Sequence, residues 1–254
     1  MKANYHTHTY LCNHASGTMR EYIENAVKAG YEQLGFSDHG PYIFDKPGYY
    51  SSFRMKCEEA KLYVNELLKL KEEYKKDIKI FIGYELEYYP KHFDKTYEYI
   101  KSLGCDYLIL GQHITKNEYD GIPSGAPTND EGVLSDYVSQ AIAAIETGKF
   151  IYMAHPDLIN FKGDDEIYEK YMRKLCLAAK EHSVPLEINF LGIEDSRNYP
   201  CERFWEIASE CKNSVIFGAD AHQKETVYCA EAEKTAAALA KKYDLTVIEK
   251  LFED

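Results

Sequence analysis

Short apolar segments alternate with longer amphipathic segments along the chain, and this alternation constrains the fold more than any other feature of the sequence. The apolar segments predict strands over residues 3–9, 33–38, 78–87, 107–111, 150–154, 185–190 and 214–218. The amphipathic segments predict helices over residues 19–29, 53–74, 93–102, 134–147, 166–181, 201–211 and 228–242. Regular strand–helix alternation indicates a parallel sheet, and seven such units in 254 residues favour a closed α/β barrel over an open sheet.

No break in composition divides these units, so residues 1–254 are predicted to form a single domain. Thr18 and Glu21 form a capping-box pattern at the start of the first helix, and Gly30 marks its end. Residues 115–132 are rich in Gly, Pro and Asn and predict a long loop, either functional or mobile. The tail at 245–252 predicts either one more strand or a segment packed on the outside.

The charge and the cysteines limit the class of protein. A net charge of −12 without a basic stripe argues against a protein that grips nucleic acid. No apolar run reaches the roughly 18 residues of a membrane span, and no basic-then-apolar leader is visible at the start of the chain. The seven cysteines are scattered and form no CxxC pair, which indicates reduced thiols. These features predict a cytoplasmic protein with no nucleic-acid or membrane partner.

Polar side chains occur where each predicted strand ends. They are His6, His8, Asp38, His39, Glu85, His113, His155, Asn189, Asp220 and His222. In α/β barrels the active site is built at the carboxyl ends of the strands, so these side chains are expected to meet there. Residues two apart on a strand project to the same side, which directs both His6 and His8 into one barrel mouth.

The types of these side chains indicate a metal centre. Seven of the nine histidines, His14 included, converge with one glutamate and one aspartate, and imidazole with carboxylate suits zinc, iron and manganese. A single strand-end histidine is more often structural, and His92 and His182 fit surface or capping roles. Nine candidate ligands exceed the three to five of one ion, which predicts two or three divalent ions. Cys12 lies between His8 and His14, but a nitrogen and oxygen ligand set does not need it.

The order of motifs is similar to that of a known family. HTH followed by a further histidine, then SDH, GYE, GQH, AHPD and GADAH, resembles the PHP (polymerase and histidinol phosphatase) superfamily of metal-dependent phosphoesterases, over residues 6 to 222. The resemblance implies the PHP fold, a distorted TIM-like (β/α)7 barrel. It also implies three ions, with Glu85 bridging the first two: one held by His6, His8, Glu85 and Asp220, one by Glu85, His113 and His155, and one by His14, His39 and His222.

Within the superfamily, the chain looks most like histidinol-phosphate phosphatases. AHPDLI at 154–159, LEINFLGI at 186–193 and the pair Tyr199–Pro200 carry this likeness, which implies hydrolysis of L-histidinol phosphate to L-histidinol and phosphate in histidine biosynthesis. One departure is Gly111-Gln112-His113, where many members have a serine. The alternatives are a phosphatase for another small monoester or nucleotide, an exonuclease, which the acidic charge disfavours, and a metal-binding protein with an inactive site.

The resemblance also suggests roles in catalysis. Glu85 and Asp220 are the catalytic candidates, acting with a metal-bound hydroxide. Either Asp220 or a metal-bound water is expected to protonate the leaving alkoxide. Arg197, in the loop after the sixth strand, is the first candidate for binding the phosphate. Weaker candidates for substrate contacts are Arg54 and Lys162 for the phosphate, and Asp38, Asn189 or a loop tyrosine for the imidazole and amine.

Overall fold

The computed structural model describes residues 1–253, and its sheet contains eight parallel strands in chain order. The strands are β1 Ala3–Asn4, β2 Gln33–His39, β3 Lys79–Leu86, β4 Tyr107–Leu110, β5 Tyr152–Met153, β6 Leu186–Asn189, β7 Ser214–Gly218 and β8 Thr246–Ile248. Each strand pairs with the next along the chain. The predicted α/β, TIM-like fold is therefore confirmed, and the tail supplies the additional strand that the sequence left as one of two options.

Helices connect the strands. They are α1 Met19–Ala29, α2 Cys57–Glu73, α3 Phe93–Ser102, α4 Glu131–Glu146, α5 Asp165–Glu181, α6 Phe190–Glu194, α7 Glu202–Glu210 and α8 Ala230–Lys242. The short helix α6 was not predicted, and it begins where the predicted sixth strand was expected to end. None of the helices within residues 1–253 combines the length and the apolar character that a membrane crossing requires.

Helix α1 illustrates how local sequence sets the boundaries of an element. The Thr18 side chain accepts from the backbone N–H of Glu21 and the Glu21 side chain accepts from that of Thr18, so the predicted capping box is present. Gly30 ends the helix in the left-handed conformation, at φ 82°. The buried residues Met19, Tyr22, Ile23 and Ala26 lie on one face of the helix.

The sheet curls until its two ends meet near the carboxyl ends of the strands. Thr7, just after β1, forms a parallel bridge with Ala221, just after β7. The His8 N–H donates to the Ala221 carbonyl at 3.0 Å, and the Ala221 N–H donates to the His6 carbonyl at 3.2 Å. Strand β8 pairs with the amino-terminal half of β7 instead. This distortion brings the residues after β1 against those after β7.

The barrel interior is filled from its amino-terminal end. Tyr5, Tyr107 and Tyr152 are buried there, and Leu251 and Phe252 of the tail pack against this cluster. The Phe252 ring stacks on Phe81 with centroids 4.1 Å apart. The tail therefore contributes strand β8 and also closes this end of the barrel.

The segment 115–132 is tied to its surroundings. Ile114 pairs with Pro123 in an antiparallel bridge, and Thr128 pairs with Phe161 in a parallel one. Helix α4 begins at Glu131, inside the predicted loop.

Candidate metal centre

The carboxyl ends of the strands surround a cavity of about 590 Å³. All nine predicted metal ligands line it or lie buried against its lining: His6, His8, His14, His39, Glu85, His113, His155, Asp220 and His222. They come from five strand ends and from the loop after β1, and parallel pairing brings those ends to one edge.

Glu85, at the end of β3, lies at the centre of this group. Its Oε1 atom lies 3.0 Å from His155 Nε2 and 3.4 Å from His113 Nε2. Its Oε2 atom faces the other side, 3.2 Å from His39 Nδ1, 3.5 Å from His6 Nε2 and 3.6 Å from His8 Nε2. One carboxylate thus presents each oxygen to a different set of imidazoles, which is the geometry that a bridging ligand requires.

Asp220 faces the first two histidines. Its Oδ1 atom lies 3.1 Å from His8 Nε2 and 3.4 Å from His6 Nε2. Its other oxygen accepts from Asn189 Nδ2 at 3.1 Å. Asn189, a predicted substrate contact, does not line the cavity: its amide is buried and bonded to Asp220, to Glu187 and to the first turn of α6.

His14 and His222 form a separate pair nearer the solvent. Their Nε2 atoms are 3.0 Å apart. Each ring can donate from Nδ1 to a backbone carbonyl, that of Cys12 at 2.8 Å and that of Asp220 at 3.0 Å. Donation from Nδ1 leaves two Nε2 lone pairs facing each other, an arrangement that a shared cation stabilises. His39 completes a group in which all ligand atoms lie within 4.8 Å of one another.

Unpaired buried atoms show that the residues fit metal ions. His6 Nε2, both ring nitrogens of His8, His39 Nδ1 and both oxygens of Glu85 are buried without a hydrogen-bond partner. Such orphaned polar atoms are costly in a folded protein unless an ion or water satisfies them. The chemistry of the donors, imidazole nitrogen and carboxylate oxygen, suits divalent zinc, manganese or iron.

The pKa shifts of residues in the centre also support the binding of a cation. Burial would raise the pKa of Glu85 and of Asp220, but the neighbouring imidazoles hold both well below their usual range. Burial would lower the pKa of His6, but Asp220, Glu187 and Glu85 raise it well above its usual value. The two ionised carboxylates therefore favour a positive charge beside His6.

Two further carboxylates support the predicted ligands, and the sequence analysis missed both. Glu187 accepts from His6 Nδ1 at 2.9 Å, and Glu87 accepts from His113 Nδ1 at 2.8 Å. Each orients an imidazole so that Nε2 points to the centre. The sequence did contain a signal for both residues, because each is a charged residue in a buried strand or directly after one. Glu187 lies two positions from Asn189, and Glu87 lies two positions from Glu85.

Close approach of two carboxylates explains two glycines. A Cβ atom at Gly111 would lie 1.9 Å from Glu85 Oε1, and one at Gly218 would lie 1.8 Å from Glu187 Oε1. The Gly111-Gln112-His113 segment therefore makes room for the central carboxylate. The Gln112 side chain is buried and bonded to the backbone of Tyr88 and Ile114.

Three other predicted substrate contacts lie outside the lining of the cavity. Arg54 is 2% exposed and is engaged by Glu87, Glu118 and the Gly40 carbonyl, so its guanidinium does not face the cavity. Asp38 is buried, accepts from the backbone of Thr9 and His39, and lies 3.5 Å from His8 Nδ1. Lys162 is exposed and does not line the cavity.

Arg197 is the predicted substrate contact that does line the cavity. Its guanidinium is held by Asp195 at 2.8 Å and by the Tyr199 hydroxyl at 3.1 Å. The lining also contains the apolar side chains of Phe53, Ile114, Pro123, Leu158 and Leu191. The cavity therefore combines a polar floor, one fixed cation and apolar walls.

The two remaining histidines lie outside the centre. His92 precedes α3 but makes no capping bond; it is buried, with Nε2 2.9 Å from the Tyr119 hydroxyl. His182 is an exposed residue at the end of α5. His182 therefore fits the surface or capping role that was predicted for both residues, whereas His92 does not.

Curated relatives are similar to this chain over most of its length. A probable histidinol-phosphatase from Deinococcus radiodurans is 27% identical over 225 residues, which cover 86% of this chain and 85% of that protein. The histidinol-phosphatase of Bacillus subtilis is 26% identical over 261 aligned positions, covering 91% of this chain and 97% of that protein.

The fold has a close counterpart among solved structures. Histidinol phosphate phosphatase from Lactococcus lactis, in complex with zinc, L-histidinol and phosphate, superposes with a TM-score of 0.74 at 19% identity, over 97% of this chain and 95% of the other. The sequence profile of the PHP domain matches residues 4–190, more than half of the chain. The chain belongs to the PHP domain family.

Proposed function

We propose that the chain is a metal-dependent histidinol-phosphatase, which hydrolyses L-histidinol phosphate to L-histidinol and phosphate, and that residues 1–254 act as one domain. The observation that carries the proposal is the convergence of seven imidazoles and two carboxylates, most of them buried, at one cavity. The named relatives, which match over most of their own length, support the choice of substrate.

The donor groups are consistent with three ions. His6, His8, Glu85 and Asp220 would hold the first ion. Glu85, His113 and His155 would hold the second, and His14, His39 and His222 the third. The two Glu85 oxygens face different imidazoles, which supports the bridging role. The Nε2 atoms of His14 and His222 lie 3.0 Å apart, which supports the third site.

The chain's own residues have separate tasks in the reaction. Divalent ions, when bound, lower the pKa of water and polarise phosphoryl oxygens. Glu85 and Asp220 place negative charge between the imidazoles, where they would help to hold divalent ions. Arg197 is held at the cavity wall by Asp195 and Tyr199, where it can bind a phosphate oxygen. The apolar wall would contact the carbon skeleton of the leaving group.

A substrate panel with metal analysis tests the proposal. We expect the purified protein to contain two to three ions per chain and to hydrolyse L-histidinol phosphate with a higher kcat/KM than p-nitrophenyl phosphate, nucleotides or single-stranded DNA. Chelation should remove the activity, and zinc or manganese should restore it. Strong activity on a nucleotide with none on L-histidinol phosphate would contradict the assignment of substrate.

A matched pair of variants tests the site. His113→Ala should lower kcat/KM by more than about 100-fold, the upper range for residues that only support a ligand. His182→Ala replaces an exposed histidine outside the centre and should leave kcat/KM unchanged. Equal effects of the two variants would contradict the proposed metal centre.

A further inference from the structure

Cys12 lies at the metal centre, although a nitrogen and oxygen ligand set does not account for it. The residue ends a single 3-10 turn, Tyr10–Cys12, that follows β1, and it is fully buried. Its Sγ atom, one nitrogen of His8 and one nitrogen of His222 all lie within 4.8 Å of one another.

The space that the thiol faces is one where an ion would be stabilised. His8 is fully buried, and neither of its ring nitrogens has a hydrogen-bond partner. The His8 and His222 rings stack with centroids 4.0 Å apart. His222 also belongs to the group with His14 and His39, so the sulfur borders the third site.

We propose that Cys12 is a ligand of the ion that His222 binds, and that this site therefore takes a thiophilic ion, zinc, in preference to manganese. The inference rests on the proposed metal centre. Thiolate selects zinc over manganese, which prefers oxygen ligands. The other sites have only imidazole and carboxylate donors, so one chain would hold ions at sites of two different chemical preferences.

The distances allow such a ligand after a small adjustment. Zinc binds sulfur at about 2.3 Å and nitrogen at about 2.1 Å, so two ligand atoms on one tetrahedral ion lie roughly 3.5 Å apart. Atoms that lie within 4.8 Å of one another can reach that separation by rotation of side chains. Binding replaces the thiol S–H bond by a sulfur–metal bond and releases the proton to solvent.

Cobalt substitution tests the inference without reference to activity. The full chain is stripped with a chelator, and Co²⁺ is added stepwise until the sites are filled. A thiolate ligand gives a near-ultraviolet sulfur-to-cobalt charge-transfer band, whereas imidazole and carboxylate ligands do not. We expect the band in the native protein and its loss in Cys12→Ser, with circular dichroism used to verify that the variant is folded.

A second cysteine supplies the matched control. Cys105 lies just before β4, at the opposite end of the barrel, and its thiol donates to the Tyr107 carbonyl at 2.9 Å. Cys105→Ser retains a donor and should keep the charge-transfer band. Zinc titration should show that Cys12→Ser weakens one site by more than the 10–100-fold typical of outer-shell changes, with little effect on manganese.

The outcomes separate this inference from the proposed function. A fully loaded native protein without the band, or a band that persists in Cys12→Ser, would overturn the role of Cys12 and leave the phosphatase proposal standing. A native protein that binds no cobalt, zinc or manganese would overturn both.

Discussion

At the scale of single residues, four of the seven site histidines are each held through Nδ1, which leaves Nε2 to face the metal centre. His6 and His113 are each bonded through Nδ1 to a carboxylate, and His14 and His222 through Nδ1 to a backbone carbonyl. An imidazole fixed in this way presents Nε2 as a lone pair, the form in which histidine binds metals. The outer partners therefore fix the tautomer and the orientation in which these four rings could bind a metal.

His14 provides the test of the number of sites. His14→Ala removes a ligand that belongs to the His14, His39 and His222 group, so the protein should retain one ion fewer than the native chain. The two sites around Glu85 should stay filled, because none of their ligands changes. Metal content per folded chain is the measurement, with His182→Ala as control. Retention of every ion by His14→Ala would contradict the three-site arrangement.

Glu187 provides the test of the outer partners. In Glu187→Gln, a neutral amide takes the place of the buried carboxylate that accepts from His6 Nδ1. The amide is a weaker acceptor than the carboxylate. The affinity of the first site should fall about 10- to 100-fold, as measured by competition with a chelator. Glu206→Gln changes an exposed glutamate of α7 and should have no effect. Equal affinities in both variants would show that Glu187 does not support a ligand.

At the scale of elements, one buried arginine joins two loops to the metal centre. Arg54, in the loop between β2 and α2, bonds Glu87 at 2.7 Å, the Gly40 carbonyl at 2.9 Å and also Glu118. Glu118 lies in the segment 115–132 and also accepts from the Tyr49 hydroxyl. Because Glu87 orients His113, the position of both loops is coupled to a predicted ligand.

The coupling predicts an effect of Arg54 on both stability and metal binding. Arg54→Gln leaves two buried carboxylates without their cation, which should cost about 3–5 kcal/mol in the free energy of unfolding. The affinity of the second site should fall about tenfold. Arg54→Lys retains the charge but loses the paired donors of the guanidinium. Its stability and metal affinity should therefore lie between those of the native protein and those of Arg54→Gln. Denaturation curves and metal competition measure these effects, with exposed Arg20→Gln as control. Unchanged metal affinity in folded Arg54→Gln would refute the coupling.

At the scale of the whole molecule, the two ends of the barrel have different roles. The carboxyl ends of the strands carry the metal centre, and the amino ends are closed by the tail. Phe252 stacks on Phe81 and meets the Tyr5 ring edge-on at 5.5 Å, while the Leu251 N–H donates to the Tyr5 hydroxyl at 3.0 Å. The tail therefore packs at the end of the barrel opposite the cavity, although Tyr5, which it contacts, directly precedes the predicted ligand His6.

This separation predicts that stability can be reduced without loss of the site. Phe252→Ala removes an aromatic ring that is only partly buried, so the loss should be about 2–3 kcal/mol, below the range for fully buried phenylalanine. Urea denaturation measures the loss, and metal content measured under native conditions should not change. Loss of ions in a folded Phe252→Ala protein would show that the tail also maintains the carboxyl end.

The strand–helix order and the convergence of the nine polar side chains could both be predicted from sequence. Period-2 and period-3.6 patterns encode which face of each element is buried, and parallel pairing then brings all carboxyl ends together whatever the loops do. The directions in which side chains point could not be predicted in the same way. Arg54 and Asn189 follow strands as Arg197 does, yet their polar groups are bonded to buried carboxylates.

The fold class and the set of candidate ligands could therefore be predicted from the chain alone, because both follow from local periodicity and residue type. The folded arrangement was needed to identify which polar groups face the cavity, which support a ligand, and which residues lie together although they are distant in sequence. Burial of Glu87 and Glu187 beneath the histidines, and the place of Cys12 beside His222, depend on contacts between strands that share no local pattern.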